Sequence, residues 1–149
     1  MAVDAYLKLG NIKGECEVDG FKDHIQVLAW SWGMTQSGTA QQGAGAGAGK
    51  VNVQDLSITK YIDASSPLLM KAVTLGEHHD TAKLTFRKAS GAAAALDYLT
   101  VELKEVMVTS VSTGGSGGED RFTENLTLNF AEFKFSYQTQ DAKGGKAGG

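Results

Sequence analysis

Apolar residues recur at every second position through most of this chain, the pattern of strands with one buried face. Val3, Ala5, Leu7 and Leu9 alternate with Asp4, Tyr6 and Lys8, and Ala82, Leu84 and Phe86 alternate with Lys83, Thr85 and Arg87. Helix punctuation occurs once. Ser66 stands as an N-cap, Pro67 at the first helical position and Gly76 just past the end, which predicts a helix over about 66–75. Leu68, Leu69, Ala72 and Val73 share its expected buried face, with Lys71 and Thr74 outside. The Ala92–Ala95 run favours a short second turn, which Gly91 and the strand pattern after it oppose.

Three long strand-like segments change phase midway. Val51 and Val53 give way to Leu56 and Ile58; Leu99, Val101 and Leu103 to Val106 and Val108; Phe122, Leu126, Leu128 and Phe130 to Phe133, Phe135 and Tyr137. A one-residue slip sends every later side chain to the other face unless an extra residue absorbs it. Each slip therefore predicts either a β-bulge that bends the strand or a strand crossing from one buried face to another. The segments also exceed the usual strand length of about 5–6 residues. The expected fold is mainly β, a small barrel or sandwich of roughly seven to nine bent antiparallel strands whose walls also meet a neighbour, with one flanking α-helix at about 66–75.

Glycine changes the picture between the strands. Of 19 glycines, most fall in three clusters, at 38–49, 114–118 and 144–149. The first, in Gln36-Ser-Gly-Thr-Ala-Gln-Gln-Gly-Ala-Gly-Ala-Gly-Ala-Gly49, reads as a long loop of the length that is either functional or disordered. The second lacks the Gly-Lys-Ser/Thr ending of a phosphate-binding loop and exits through Glu119 and Asp120, so it reads as a hairpin connection. The third marks a flexible Gly/Lys tail, 142–149, behind a single domain, 1–141. At 149 residues such a domain can bury a core of its own, roughly 68–70% of its unfolded surface.

Charge and candidate chemistry mostly exclude. The net charge of −3, with no basic stretch, excludes a nucleic-acid binder that works by phosphate neutralisation. No apolar run approaches a membrane span, and the first residues lack the basic and apolar regions of a signal peptide. His78, His79 and Asp80 resemble the start of a metal site, but adjacent strand residues point to opposite faces, so they read as a solvated turn after Gly76. Cys16 cannot form an internal disulfide, and flanking Glu15 and Glu17 disfavour a thiolate. No nucleophile–base pair can be nominated, and no metal or cofactor is expected.

Two features point to surfaces instead. Trp30 and Trp32 share one strand face with Leu28 and Met34, either as core or as an aromatic patch at a subunit boundary. Thr123, Asn125, Thr127 and Asn129 form an uncharged polar file, suited to a wet surface that contacts varied partners without strong charge.

Six stretches, in order, resemble the haemolysin co-regulated protein (Hcp) family of type VI secretion systems, with the match running from Met1 to about Asp141. They are Met1–Leu9 with Ile12–Glu15, Val27–Gly33, Val53–Ile62, Ala82–Ala89, Ser110–Ser116 and Thr123–Phe130. The resemblance implies a small β-barrel with a flanking helix that assembles into homohexameric rings. Rings stack into a tube tipped by a spike protein and propelled by a contractile sheath. Small effector proteins ride in the lumen, and subunits leave the bacterial cytoplasm without a cleaved signal. It implies a ring-stacking role for the loop carrying Ser37, Gly38, Gln41, Gln42, Gly43, Gly45, Gly47 and Gly49. Ser116, Thr123, Asn125, Thr127 and Asn129 are then expected in the lumen as cargo contacts. Ala92–Ala95, Cys16 and the short tail depart from the family pattern. A monomeric ligand-binding barrel, its cavity lined by the tryptophans, is the alternative reading and requires a hollow interior. An enzyme ranks third, because the residues after Asp141 are too few for a catalytic domain.

Overall fold

Alternation becomes strands in the order β1 (Val3–Leu9), β2 (Ile25–Ser31), β3 (Met34–Gln36), β4 (Val51–Val53) and β5 (Leu56–Tyr61). The helix α1 (Ser66–Leu75) follows, then β6 (His78–Lys88), β7 (Leu96–Gly114), β8 (Thr123–Asn129) and β9 (Glu132–Tyr137). The computed structural model describes residues 3–38, 50–88 and 95–139. Most of the glycine-rich loop, most of Ala92–Ala95 and the tail 142–149 lie outside the described residues.

Six strands close a barrel. β1 pairs with β2, β2 with β5, β5 with β8, β8 with β7, β7 with β6 and β6 with β1, all antiparallel. Closure removes most sheet edges, which suits a chain too short to cover them with extra layers. The expected mainly-β barrel with one flanking helix is the fold observed. Leu7, Leu9, Ile25, Val101, Val106, Leu126 and Leu128 fill the interior at 0% exposure, joined by Leu69 and Ala72 of α1. Burying each such Leu, Ile or Val is worth about 1.5–3 kcal/mol.

The phase slips take both predicted forms. The slip at 54–55 is a crossing: β4 leaves to pair with β3 in a separate two-stranded ribbon, while β5 joins the barrel. The slip in β7 falls at Glu105, whose φ of 53° bends the strand so that Leu103 and Val106 both face inward. The third slip lies between β8 and β9, which run consecutively along one edge of β7. Lys104 pairs with Glu132 and Met107 with Asn129, so the second and third slips face each other across one ladder and bend both strands together. Three registers also shift in the barrel, at Val27/Ala29, Phe86/Arg87 and Val108/Ser110.

The helix needs two corrections. The N-cap is Ser65, one residue earlier than expected, and Ser66 is the first helical residue. Its hydroxyl is engaged elsewhere: it donates to Glu124 Oε1 at 2.6 Å and accepts from the Asp63 amide at 3.0 Å. Leu68 is exposed rather than buried, because the face that meets the barrel is the narrower Leu69–Ala72 stripe with Val73. Gly76 ends the helix as expected, left-handed at φ 63°, and the Glu77 amide bonds the Ala72 carbonyl at 3.0 Å.

His78–Asp80 is not a solvated turn. β6 begins directly after Gly76 and Glu77, and His78 and His79 pair with Met107 and Val106. Cys16 is buried with Tyr6 and Phe21 in a small outer cluster, where the β1–β2 connection folds back over β1. The Tyr6 and Phe21 rings stack at 4.2 Å, and the Arg87 guanidinium lies 4.4 Å above Phe21 while bonding Asp97 at 2.8 Å.

Candidate functional site: a polar wall with open edges

One face of the barrel carries small uncharged polar groups in register across four strands. Ser31 of β2 lies opposite Ser57 of β5, Ser57 opposite Thr127 of β8, and Thr127 opposite Ser110 of β7. The next row runs Ala29, Thr59, Asn125 and Ser112. Hydroxyls and amides bond one another along this wall. Thr59 donates to Asn125 Oδ1 at 2.6 Å, and the Thr127 hydroxyl meets those of Thr109 at 2.6 Å and Ser110 at 2.7 Å. Asp55 closes one end, accepting from Thr109 at 2.7 Å and Asn129 at 2.9 Å. The predicted file Thr123, Asn125, Thr127 and Asn129 is thus brought together on one face. Ser116 is not in it; it sits at the tip of the β7–β8 hairpin, bonded to Glu119 at 3.0 Å.

Behind the wall, period two also carries two charges inward. Lys60 follows Leu56 and Ile58, and Glu124 precedes Leu126 and Leu128, all six buried. Lys60 Nζ pairs with Glu124 Oε1 and, at 3.0 Å, with Asp63. Ser66 bonds the same Glu124 oxygen, so α1 is pinned to the wall strands by a buried polar network. Sequence reasoning missed this pair, although the phase of each residue within its strand was the available signal. It also read the polar file on β8 alone and missed its partners on β2, β5 and β7.

The wall is open on both sides. Among the described residues, β2 pairs with β1 only through Ile25–Val27, leaving its second half paired with β5 alone. β7, again among the described residues, pairs with β6 only as far as Met107, leaving Val108–Gly114 paired with β8 alone. Apolar side chains stand exposed beside these openings. Trp30 is 36% exposed at the barrel rim, its ring 4.8 Å from Phe86, with Leu28 and Val3 close by in a shallow 300 Å³ groove. Phe133, Phe135 and Tyr137 of β9 share the face of Leu103, Val101 and Leu99, yet are 42%, 48% and 58% exposed. Trp32 covers them in part, 4.9 Å from Phe133, and its indole N–H bonds the Gln54 carbonyl at 2.8 Å.

A family model described as "Type VI secretion system effector, Hcp" matches residues 6–137 of this chain. The chain belongs to the Hcp family. Protein hcp1 of Pseudomonas aeruginosa is 60% identical over all 149 residues, which span 91% of that protein. A solved structure of a type six secretion system protein is 30% identical with a TM-score of 0.90, over 99% of this chain and 91% of the other. Hcp1 from Salmonella typhimurium is 34% identical with a TM-score of 0.76, over 91% and 88%. This Hcp chain is therefore a type VI secretion component with a β-barrel fold.

Within the Hcp barrel, the filled interior removes the alternative of a hollow ligand-binding cavity. The expected stacking loop leaves from the β3–β4 ribbon, where Met34 pairs with Val53 and Gln36 with Val51. Ser37 and Gly38 continue from the ribbon, exposed; Gln41, Gln42, Gly43, Gly45, Gly47 and Gly49 lie outside the described residues. Among the described residues, no three His, Cys, Asp or Glu side chains converge as a metal site.

Proposed function

We propose that this chain forms homohexameric rings that stack into a secretion tube, with the polar wall facing the lumen. The observation that carries this reading is the pair of backbone edges left unpaired among the described residues, β2 at Leu28–Ser31 and β7 at Val108–Gly114, on opposite sides of one wall. A contact between two different edges of identical copies is heterologous, and such a contact closes into a ring when its rotation permits. Exposed Leu28 and Trp30 beside one edge, and half-buried Val111 on the other, supply apolar surface for the same contact.

The lumen then presents Thr123, Asn125, Thr127 and Asn129 with their hydroxyl partners to effector proteins. Short uncharged groups that already bond one another bind cargo weakly and release it, consistent with a tube expelled by a sheath behind a spike protein. Ser116 marks the rim of this surface. The Ser37–Gly49 loop orders when one ring meets the next, which keeps each stacking contact modest. Subunits leave the bacterial cytoplasm by this route without a cleaved signal. The chain acts by assembly rather than by catalysis. Native mass measurement at micromolar concentration, with electron microscopy for annuli of uniform diameter, tests the reading. A strictly monomeric protein overturns it.

A further inference from the structure

The barrel sheet opposite the polar wall carries a groove of about 820 Å³. It crosses β1, β6, β7 and β9 beside the bend at Glu105. Four of the chain's 14 basic side chains, Lys8, Lys83, Lys104 and Lys134, line it, although the protein as a whole is acidic. The registers place Lys8 opposite Lys83, Lys83 opposite Glu102, and Glu102 opposite Lys134. Like charges directly opposite on neighbouring strands are destabilising, so the Lys8–Lys83 pair works against the isolated fold. Lys8, Lys83 and Lys134 pair with no carboxylate of a described residue. Lys104 reaches Glu132 at only 3.9 Å, with both side chains about two-thirds exposed (68% and 70%).

We propose that this groove docks an acidic polypeptide segment of a partner protein on the outside of the barrel. Three uncommitted ammonium groups set across four strands provide the charge complementarity. Their long stems cover apolar surface while the heads remain available. Glu102 and Glu132 interrupt the lysines, which suits a peptide with spaced carboxylates and repels a continuous run of phosphates. The groove also has no aromatic platform of stacked rings for bases of the kind that single-stranded nucleic-acid binders use. Because the groove lies on the sheet away from the wall, the proposal stands independently of the ring reading.

The test is fluorescence anisotropy of the full-length protein with a labelled peptide of alternating Glu and Ser, against a labelled oligothymidylate of equal length. The expected result is peptide binding that weakens as salt rises from about 50 to 500 mM. In Lys83→Glu/Lys134→Glu it should fall at least fivefold, and in Lys13→Glu/Lys22→Glu, outside the groove, less than twofold. The first variant turns the Lys8–Lys83 repulsion into an attraction but sets two new carboxylates opposite Glu102. Lys83→Gln/Lys134→Gln, which only removes charge, is therefore measured beside it and should weaken peptide binding in the same direction. Native mass of the same samples reads folding and ring assembly separately. Equal losses in the two glutamate variants would show unspecific attraction and overturn the proposal. So would tighter binding of the oligothymidylate, or no peptide binding at low salt.

Discussion

Lys60 and Glu124 meet inside the barrel on neighbouring strands, directly opposite in register and both at 0% exposure. Their ammonium–carboxylate bond joins two wall strands, and through Ser66 and Asp63 it ties the start of α1 to the same point. Two charges in an apolar interior are stable only as a pair with satisfied neighbours. Removing one member leaves the other uncompensated. Lys60→Met, which strands both Glu124 and Asp63, should therefore cost about 3–5 kcal/mol in urea unfolding. Glu124→Gln should cost less, because Lys60 keeps Asp63 at 3.0 Å. Lys60→Met/Glu124→Leu should recover part of the Lys60→Met loss, the part due to Glu124, while Asp63 still lacks its ammonium partner; a strictly additive double variant would contradict the coupling.

Glu105 occupies the left-handed region at φ 53°, where a side chain costs about 1–2 kcal/mol and glycine adapts freely. Glu105→Gly should stabilise the fold by about 0.5–1 kcal/mol once the entropy of the unfolded chain is included. Glu105→Val should destabilise it, since a β-branched residue tolerates this conformation worst. Thermal unfolding of the pair reads the sign directly.

Tyr6 is 2% exposed beneath Phe21, and its phenol is held above the ordinary value near 10. Burial is the largest cause, with the Asp4 and Cys16 neighbours adding and Arg87 opposing. The folded state thus keeps this proton more tightly than the unfolded chain. Its contribution is fully present below pH 10 and is lost as pH climbs through the raised folded value. Tyr6→Phe should flatten the alkaline fall in stability; an unchanged slope above pH 10 would assign that fall to other groups.

The two tryptophans, Trp30 in β2 and Trp32 just past its end, serve different neighbours. Trp32 packs on Phe130, Phe133 and Phe135 and bonds the Gln54 carbonyl, so Trp32→Ala should cost about 3–5 kcal/mol in the monomer. Trp30 sits at the rim, and Trp30→Ala should cost roughly half as much while lowering ring occupancy in native mass spectra. Equal effects of the two variants on both readouts would contradict this division.

Deletion of Gly43–Gly49 should leave rings intact and slow tube growth, because this stretch is proposed to order only between rings. Negative-stain counts of single annuli against filaments check it, and unchanged filament length would make the loop dispensable to stacking.

Period two in Val3–Leu9 and Ala82–Phe86 identified strands because a pleated chain with one buried face has no other way to hide alternate side chains. Gly76 identified the helix end, since only a left-handed residue closes that turn cheaply. The phase slips were legible as bends, and the polar file on β8 as a surface. What the local pattern could not hold was registration between distant strands. That the slips in β7 and between β8 and β9 coincide, that Ser31, Ser57, Thr127 and Ser110 form one row, and that Lys60 finds Glu124 all depend on which strands become neighbours. Alternation states which face a residue takes along its own strand, whereas the closure of the barrel chooses what stands across from it, and only that choice leaves two edges of the wall open.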